Sequence, residues 1–132
     1  MRIKTIEFRY NAVYLLDQTR LPQDTVVLEL RRAEEVVEAI RSLRIRGAPA
    51  IGVAAAYGLV LAAAQLEGTS LERFRAALRE EALVLGEARP TAVNLRWALQ
   101  RLLKATDTVS TVGEARRALL EGARSIQAEQ ED

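Results

Sequence analysis

Along the first thirty positions apolar residues alternate with polar ones. Ile6, Phe8 and Tyr10, then Val13 and Leu15, then Val26, Leu28 and Leu30 recur at period two, which turns one face of a strand toward a core. Asn11 suits a turn between the first two runs, and Leu21-Pro22-Gln23-Asp24 breaks the chain before the third. This predicts a meander of two to three short antiparallel strands within residues 3–31. From Ala33 the period becomes helical: Val36, Ala39, Ile40 and Leu43 form a stripe, with Glu34, Glu35, Glu38 and Arg41 off it, in a helix ending near Arg44. A capping box, Thr69 with Glu72, opens a helix whose stripe is Leu71, Phe74, Leu78, Ala82 and Leu85. A further helix runs from about Thr91 and buries Ala92, Leu95, Leu99 and Leu102. A second box, Thr111 with Glu114, leads a last helix carrying Val112, Ala115, Leu119, Gly122 and Ile126. The stripe fades in the polar end, QAEQED, where fraying is expected.

Between these segments lies a run without amphipathicity. No charged residue occurs from Ala48 to Ala64. A helix apolar all round is either buried or membrane-spanning, and a span needs about 20 strongly apolar residues, whereas this run is mostly Ala and Gly. A buried central helix is the expectation. Gly52, Ala55, Ala56, Gly58 and Ala62 leave room for close approach, and each interior glycine costs roughly 1 kcal/mol of helix stability against Ala, so packing or function must require them. Gly122, on the last helix, is expected to be less crowded. The fold class is α+β: a small antiparallel sheet followed by a bundle of about five helices, with helices over residues 33–130.

Composition narrows the function classes. A chain of 132 residues forms one domain, with 49% hydrophobic and 28% charged residues in the globular range. Nineteen basic against eighteen acidic residues give no broad field for nucleic acid or anionic membrane, so any anion site must be local. The chain has no Cys and no His, which removes disulfides, thiolate nucleophiles, imidazole bases and nearly every zinc or haem arrangement. No metal ligand set or cofactor motif stands out. The start, MRIKTIEFRY, alternates charged with apolar residues, unlike a secretory signal, and a cytoplasmic location is expected.

The local anion site has two candidate corners. Gly47 permits unusual backbone angles, Pro49 suits a first helical turn, and Ala48 before proline is biased away from helical angles, so a helix starts close to Pro49 with Arg46 just ahead of it. Unpaired N–H groups and the positive end of the helix dipole there suit phosphate. The pattern recurs where Arg89 precedes Pro90 and Thr91, and two such arginines would suit one phosphate. Taken singly, an arginine at a helix start is more often solvated or paired with a carboxylate, and Asn94 is more often a surface or capping residue than a ligand contact. Spacing alone leaves both readings open.

Three stretches decide between them: RGAPAIGVAAAYG from Arg46 to Gly58, LLDQTRLP from Leu15 to Pro22, and RPTAVNLRWA from Arg89 to Ala98. Together they resemble the N-terminal part of the methylthioribose-1-phosphate isomerase family, itself related to the alpha, beta and delta subunits of translation initiation factor 2B. The resemblance runs through nearly the whole chain. It implies an aldose–ketose isomerase of methionine salvage that converts 5-methylthioribose 1-phosphate to 5-methylthioribulose 1-phosphate without metal or organic cofactor. It places Arg46, Gly47 and Ala48 in the substrate site and Arg89 on the phosphate. It also implies a homodimeric full-length enzyme whose catalytic cysteine and aspartate lie in a Rossmann-like C-terminal domain. This chain of residues 1–132 then corresponds to the single N-terminal domain, and none of Asp17, Asp24, Asp107 and Asp132 matches the catalytic aspartate. Expected partners are a small sugar phosphate and that second domain, with no nucleic acid and no membrane. Alternatives are a non-catalytic regulatory or assembly module of the initiation-factor type, or a complete small binding protein.

Overall fold

The computed structural model describes residues 5–67 and 70–130. Three strands, β1 (Ile6–Arg9), β2 (Ala12–Leu16) and β3 (Val27–Leu30), form an antiparallel meander in that order. Ile6 pairs with Leu15 and Arg9 with Ala12, while Val13 faces Leu30 and Leu16 faces Val27. Tyr10 and Asn11 close the first hairpin with φ of 52° and 57°, the two positive values that a two-residue type I′ turn needs. Tyr10 therefore leaves the alternation that was expected to bury it and is 79% exposed.

Five helices follow: α1 (Ala33–Arg41), α2 (Ala48–Gln65), α3 (Leu71–Gly86), α4 (Val93–Ala105) and α5 (Val112–Gln130). In α1 the expected stripe is buried through Val36, Ala39 and Ile40. The helix ends three residues before Arg44, because Leu43 takes a left-handed conformation with φ of 58°. Its N–H donates to Ile40 O at 3.2 Å and that of Arg44 to Ala39 O at 3.0 Å, the paired bonds of a Schellman ending. Leu43 consequently sits outside the stripe, exposed. No glycine announced that ending, so periodicity ran past it.

The central helix is α2. Every residue from Ile51 to Ala63 is buried, and α1, α3, α4, α5 and the first two strands all pack on it. Its 18 residues are apolar enough to pass for a membrane span by length and composition, but the surrounding elements already cover it. Its glycines sit where neighbours come close. A Cβ built on Gly58 would lie 2.9 Å from Leu85 Cδ2 and 3.1 Å from Val36 Cγ1, and one on Gly52 would lie 3.1 Å from the backbone oxygen of Asn94. The expectation for Gly122 is overturned: a Cβ there would meet Leu102 Cδ2 at 2.6 Å, because α5 packs on α4 at that point.

Capping follows the sequence unevenly. Glu114 accepts from Thr111 N–H at 3.1 Å while its own N–H donates to Thr111 Oγ1 at 3.0 Å, the reciprocal box expected. Thr69 lies outside the described residues; the cap of α3 is Ser70, whose hydroxyl accepts from Arg73 N–H at 3.2 Å. The last helix stays helical through Gln130, so the expected fraying of the polar end is absent up to that residue.

Candidate functional site

The RIRG segment divides its two arginines between different tasks. Asp17 is 2% exposed and accepts from Thr19 N–H at 2.9 Å, Thr19 Oγ1 at 2.6 Å and Arg44 Nη1 at 2.7 Å. Arg44 also reaches Glu38 at 3.3 Å, and its carbonyl accepts from Gln18 N–H at 2.7 Å. Burial pushes the Asp17 carboxyl up, but the Thr19 hydrogen bonds and the Arg44 guanidinium together outweigh it and hold the group below its ordinary range. Arg44 is thus a structural cation. Ile45 between the two arginines is buried, which turns Arg46 outward. Arg46 is exposed and makes no ion pair with any described residue.

Gly47 caps α2 with φ of 93°, and its carbonyl accepts from Ile51 N–H at 3.0 Å. Such an angle strains any residue with a Cβ. The first turn leaves the N–H groups of Ala48 and Ala50 without intrahelical acceptors, and Pro49 contributes none. Arg46, Gly47, Pro49, Ala50, Val53, Thr5, Ile6, Gln127 and Gln130 line a cavity of about 280 Å³ at this helix start. Beside it lies a second cavity of about 350 Å³, bounded by Pro49 and Gly52 of α2, Val93, Asn94 and Trp97 of α4, and Ile126 and Gln130 of α5. Pro49 and Gln130 belong to both, so the two form one open groove.

Two N-terminal helix ends therefore meet at the groove, as the small side of α2 permits. At Gly52 the α2 backbone comes against Asn94, so closely that a side chain in that place would push the two helices apart. The floor is tied together by Gln127, which accepts from the Tyr57 hydroxyl at 2.5 Å and donates to Ile6 O at 2.7 Å, joining α5, α2 and β1. Tyr57 in turn stacks on Phe8 with ring centroids 5.1 Å apart. Sequence reasoning missed Asp17, Gln127 and Trp97. For Asp17 a signal was present, since Asp followed by Thr two residues later marks a local side-chain turn. Its partner 27 residues away was not readable.

The expected site residues are only partly gathered. Arg46 and Gly47 share one cavity, and Ala48 is the first residue of α2, exposed beside them. Arg89 is half-buried in the turn before α4 and lines neither cavity. The helix it precedes starts at Val93, not at Thr91, because Ala92 N–H turns back to Arg89 O at 2.9 Å and Ala92 takes an extended conformation. A larger depression of about 540 Å³ between α3 and α4 is lined by Leu83, Leu99 and Leu103 with Arg79, Glu87 and Arg96. Gly86, Glu87 and Pro90 carry it to the C-terminal end of α3, where carbonyl groups and the Glu87 carboxylate oppose an anion.

Chemically, the groove combines a guanidinium and the positive ends of two helix dipoles with an apolar flank. Among the described residues its lining contains no Asp, Glu, His, Cys or Lys. It can hold an anion, and none of these described residues is suited to move a proton. Among the described residues no cluster of three or more metal-ligating side chains occurs.

The model of the Initiation factor 2 subunit family matches residues 44–132. A curated methylthioribose-1-phosphate isomerase from Trichormus variabilis is 46% identical over 96% of this chain and 37% of its own length. One from Geobacillus thermodenitrificans is 45% identical over 98% of this chain and 36% of its own. The crystal structure of 5-methylthioribose 1-phosphate isomerase from Pyrococcus horikoshii OT3 superposes with a TM-score of 0.91 at 36% identity, over 97% of this chain and 36% of that one. The translation initiation factor eIF-2B subunit delta from A. fulgidus gives a TM-score of 0.90 at 36% identity, over 97% and 37%. The chain spans little more than a third of the length of these relatives.

Proposed function

Because the chain belongs to the Initiation factor 2 subunit family, we propose that it forms the phosphate-holding part of an aldose–ketose isomerase acting on 5-methylthioribose 1-phosphate. The observation that carries this reading is Arg46, standing at the start of α2 without a carboxylate partner among the described residues, while Arg44 two positions before it has two. In this reading phosphate oxygens accept from the N–H groups of Ala48 and Ala50 and from the Arg46 guanidinium, and Gly47 leaves the backbone accessible. Arg89 reaches the same phosphate from the turn before α4. The product is 5-methylthioribulose 1-phosphate, placing the reaction in methionine salvage.

The groove binds and orients, which lowers a barrier only when acid and base groups stand opposite. In this reading those groups come from the further two-thirds of polypeptide that the relatives possess, and the full-length enzyme is a homodimer. Exposed Leu83 and Val84 on α3 are apolar surface suited to such packing. A phosphorylated sugar does not cross a bilayer unaided, so the reading carries a cytoplasmic location. A regulatory module is the second reading, favoured by the initiation-factor subunit of the same fold; it needs no anion corner.

Titration of the 132-residue chain with ribose 1-phosphate, followed through backbone amide resonances, tests the proposal. Shifts concentrated at Gly47, Ala48 and Ala50 are expected. Shifts that are absent or scattered over the surface overturn it.

A further inference from the structure

We infer that α3 pairs antiparallel with α3 of a second copy of this chain, about a two-fold axis beside Leu83, and that the apolar depression between α3 and α4 receives that copy. The contact goes beyond the sugar-phosphate reading and does not depend on it. Leu83 points away from the buried stripe of its helix, Phe74, Leu78 and Leu85, and is 68% exposed, with Val84 beside it 51% exposed. The depression of about 540 Å³ has Ala82, Leu83, Leu99 and Leu103 as apolar walls, while its charged members, Arg79, Glu87 and Arg96, are exposed. An apolar centre inside a polar margin is the anatomy of a protein–protein contact.

Charge decides the occupant. Arg79, Leu83 and Glu87 follow one another at steps of four and so share one face of α3; Glu87, one residue past the helix end, keeps near-helical angles of φ −77° and ψ −11°. The two charges stand about 12 Å apart along the helix axis. Neither forms an ion pair with a described residue. Glu87 also stands at the C-terminal end of α3, where free carbonyls and the helix dipole disfavour a carboxylate. A cation brought from outside relieves it.

A two-fold axis at Leu83 sets each position before Leu83 against the position equally far after it in the partner. Arg79 of each chain then meets the partner's Glu87, at both ends of the contact. Glu80 meets Gly86 and Ala76 meets Pro90, so no like charges face one another, and small residues let the backbones close in. A parallel pairing in the same register sets Arg79 on Arg79 and Glu87 on Glu87, which repel. The face is its own complement in the antiparallel orientation alone.

One helix pair is a small contact, at the low end of interface sizes, so a weak dimer with a Kd of about 100 µM is expected. Sedimentation equilibrium of the 132-residue chain from about 10 µM to about 1 mM brackets that value. The mean mass should rise from the monomer toward the dimer. Leu83→Arg should weaken association at least about tenfold, the effect of truncating a central anchor. Because Leu83 is exposed, the dilute variant should melt where the dilute wild type does. Arg79→Glu and Glu87→Arg should each weaken association, since each sets like charges together at both ends. The double variant Arg79→Glu, Glu87→Arg exchanges the charges and should restore it, which a merely exposed apolar face does not produce.

A chain that stays monomeric to about 1 mM overturns the proposal and leaves the face to a different occupant. A dimer that Leu83→Arg does not weaken sits on another surface, and a double variant no better than either single one removes the antiparallel register; either result overturns it as well. No sugar phosphate enters the experiment, so its outcome is separate from that of the phosphate reading.

Discussion

Asp17 and Arg44, 27 positions apart, are joined by a hydrogen bond of 2.7 Å between a carboxylate that is almost wholly buried and a guanidinium that is one-third exposed. The pair locks the turn after β2 to the segment after α1. Two residues further on, that segment delivers Arg46 and Gly47 to the groove. A structural ion pair thus sets the position of the anion corner without touching it.

Asp17→Asn keeps an acceptor for Thr19 but removes the charge that faces Arg44. Breaking a fully buried pair costs roughly 3–5 kcal/mol, whereas Arg44 is open to water and has Glu38 as a second partner. A loss of about 1–3 kcal/mol in urea unfolding at neutral pH is therefore expected. An unchanged midpoint would show that the pair holds nothing together.

The same group predicts an acid limb. Its folded pKa lies below the ordinary 3.8, so the unfolded chain takes up the proton first as the pH falls. The stabilisation is complete well above that value and is lost below it, as pH drops toward the folded pKa. Between pH 5 and 2 the wild-type chain should lose stability more steeply than Asp17→Asn. Parallel curves would remove Asp17 from the account.

Glycine substitutions test the packing of α2 against plain helix propensity. Gly58→Leu and Gly52→Leu drive side chains into Leu85 and Val36 or against the Asn94 backbone, at a cost of 1–3 kcal/mol or more. Gly122→Leu belongs with them because of Leu102. Gly113 is the proper control, being exposed in the first turn of α5 with only Thr111 Oγ1, at 3.9 Å, near its Cβ position. Gly113→Ala should stabilise by up to about 1 kcal/mol. Denaturant midpoints that rise for all four substitutions would contradict the central-helix packing.

Arginine truncation separates binding from folding. In the full-length isomerase that the proposed function implies, Arg46→Ala and Arg89→Ala should each weaken substrate binding by about one to two decades, the worth of a charge-assisted contact of roughly 1.5–3 kcal/mol, at unchanged melting temperature. Since Arg89 lines neither cavity here, a loss confined to Arg46→Ala would assign the phosphate to the α2 corner alone. Full affinity in both variants would sink the phosphate reading.

The chain by itself should not turn over 5-methylthioribose 1-phosphate, because the described residues that line the groove offer no acid or base. A coupled assay that detects 5-methylthioribulose 1-phosphate from the purified 132-residue chain would refute this.

What the sequence determined by itself was periodic or local. Alternation produced the meander, the helical stripes produced α1 and α3 to α5, and the charge-free run announced α2, because burial of one face or of all faces leaves its period in the chain. Gly47 and Pro49 marked the start of α2 for the same reason: backbone angles there depend on the residues themselves. Tertiary structure decided whatever depends on partners distant in sequence. RIRG reads as a cluster of two equal charges, and only folding shows that Arg44 is engaged by Asp17 while Arg46 pairs with no described carboxylate. Gly122 looks like any small helical residue until Leu102 comes against it, and Trp97 became a groove wall only when α4 met α2 and α5. The left-handed Leu43 escaped detection because its ending is made of backbone hydrogen bonds that no side chain announces. Residue type and spacing constrain the local chain, whereas charge pairing, crowding and the walls of a cavity are properties of neighbours that only the fold brings together.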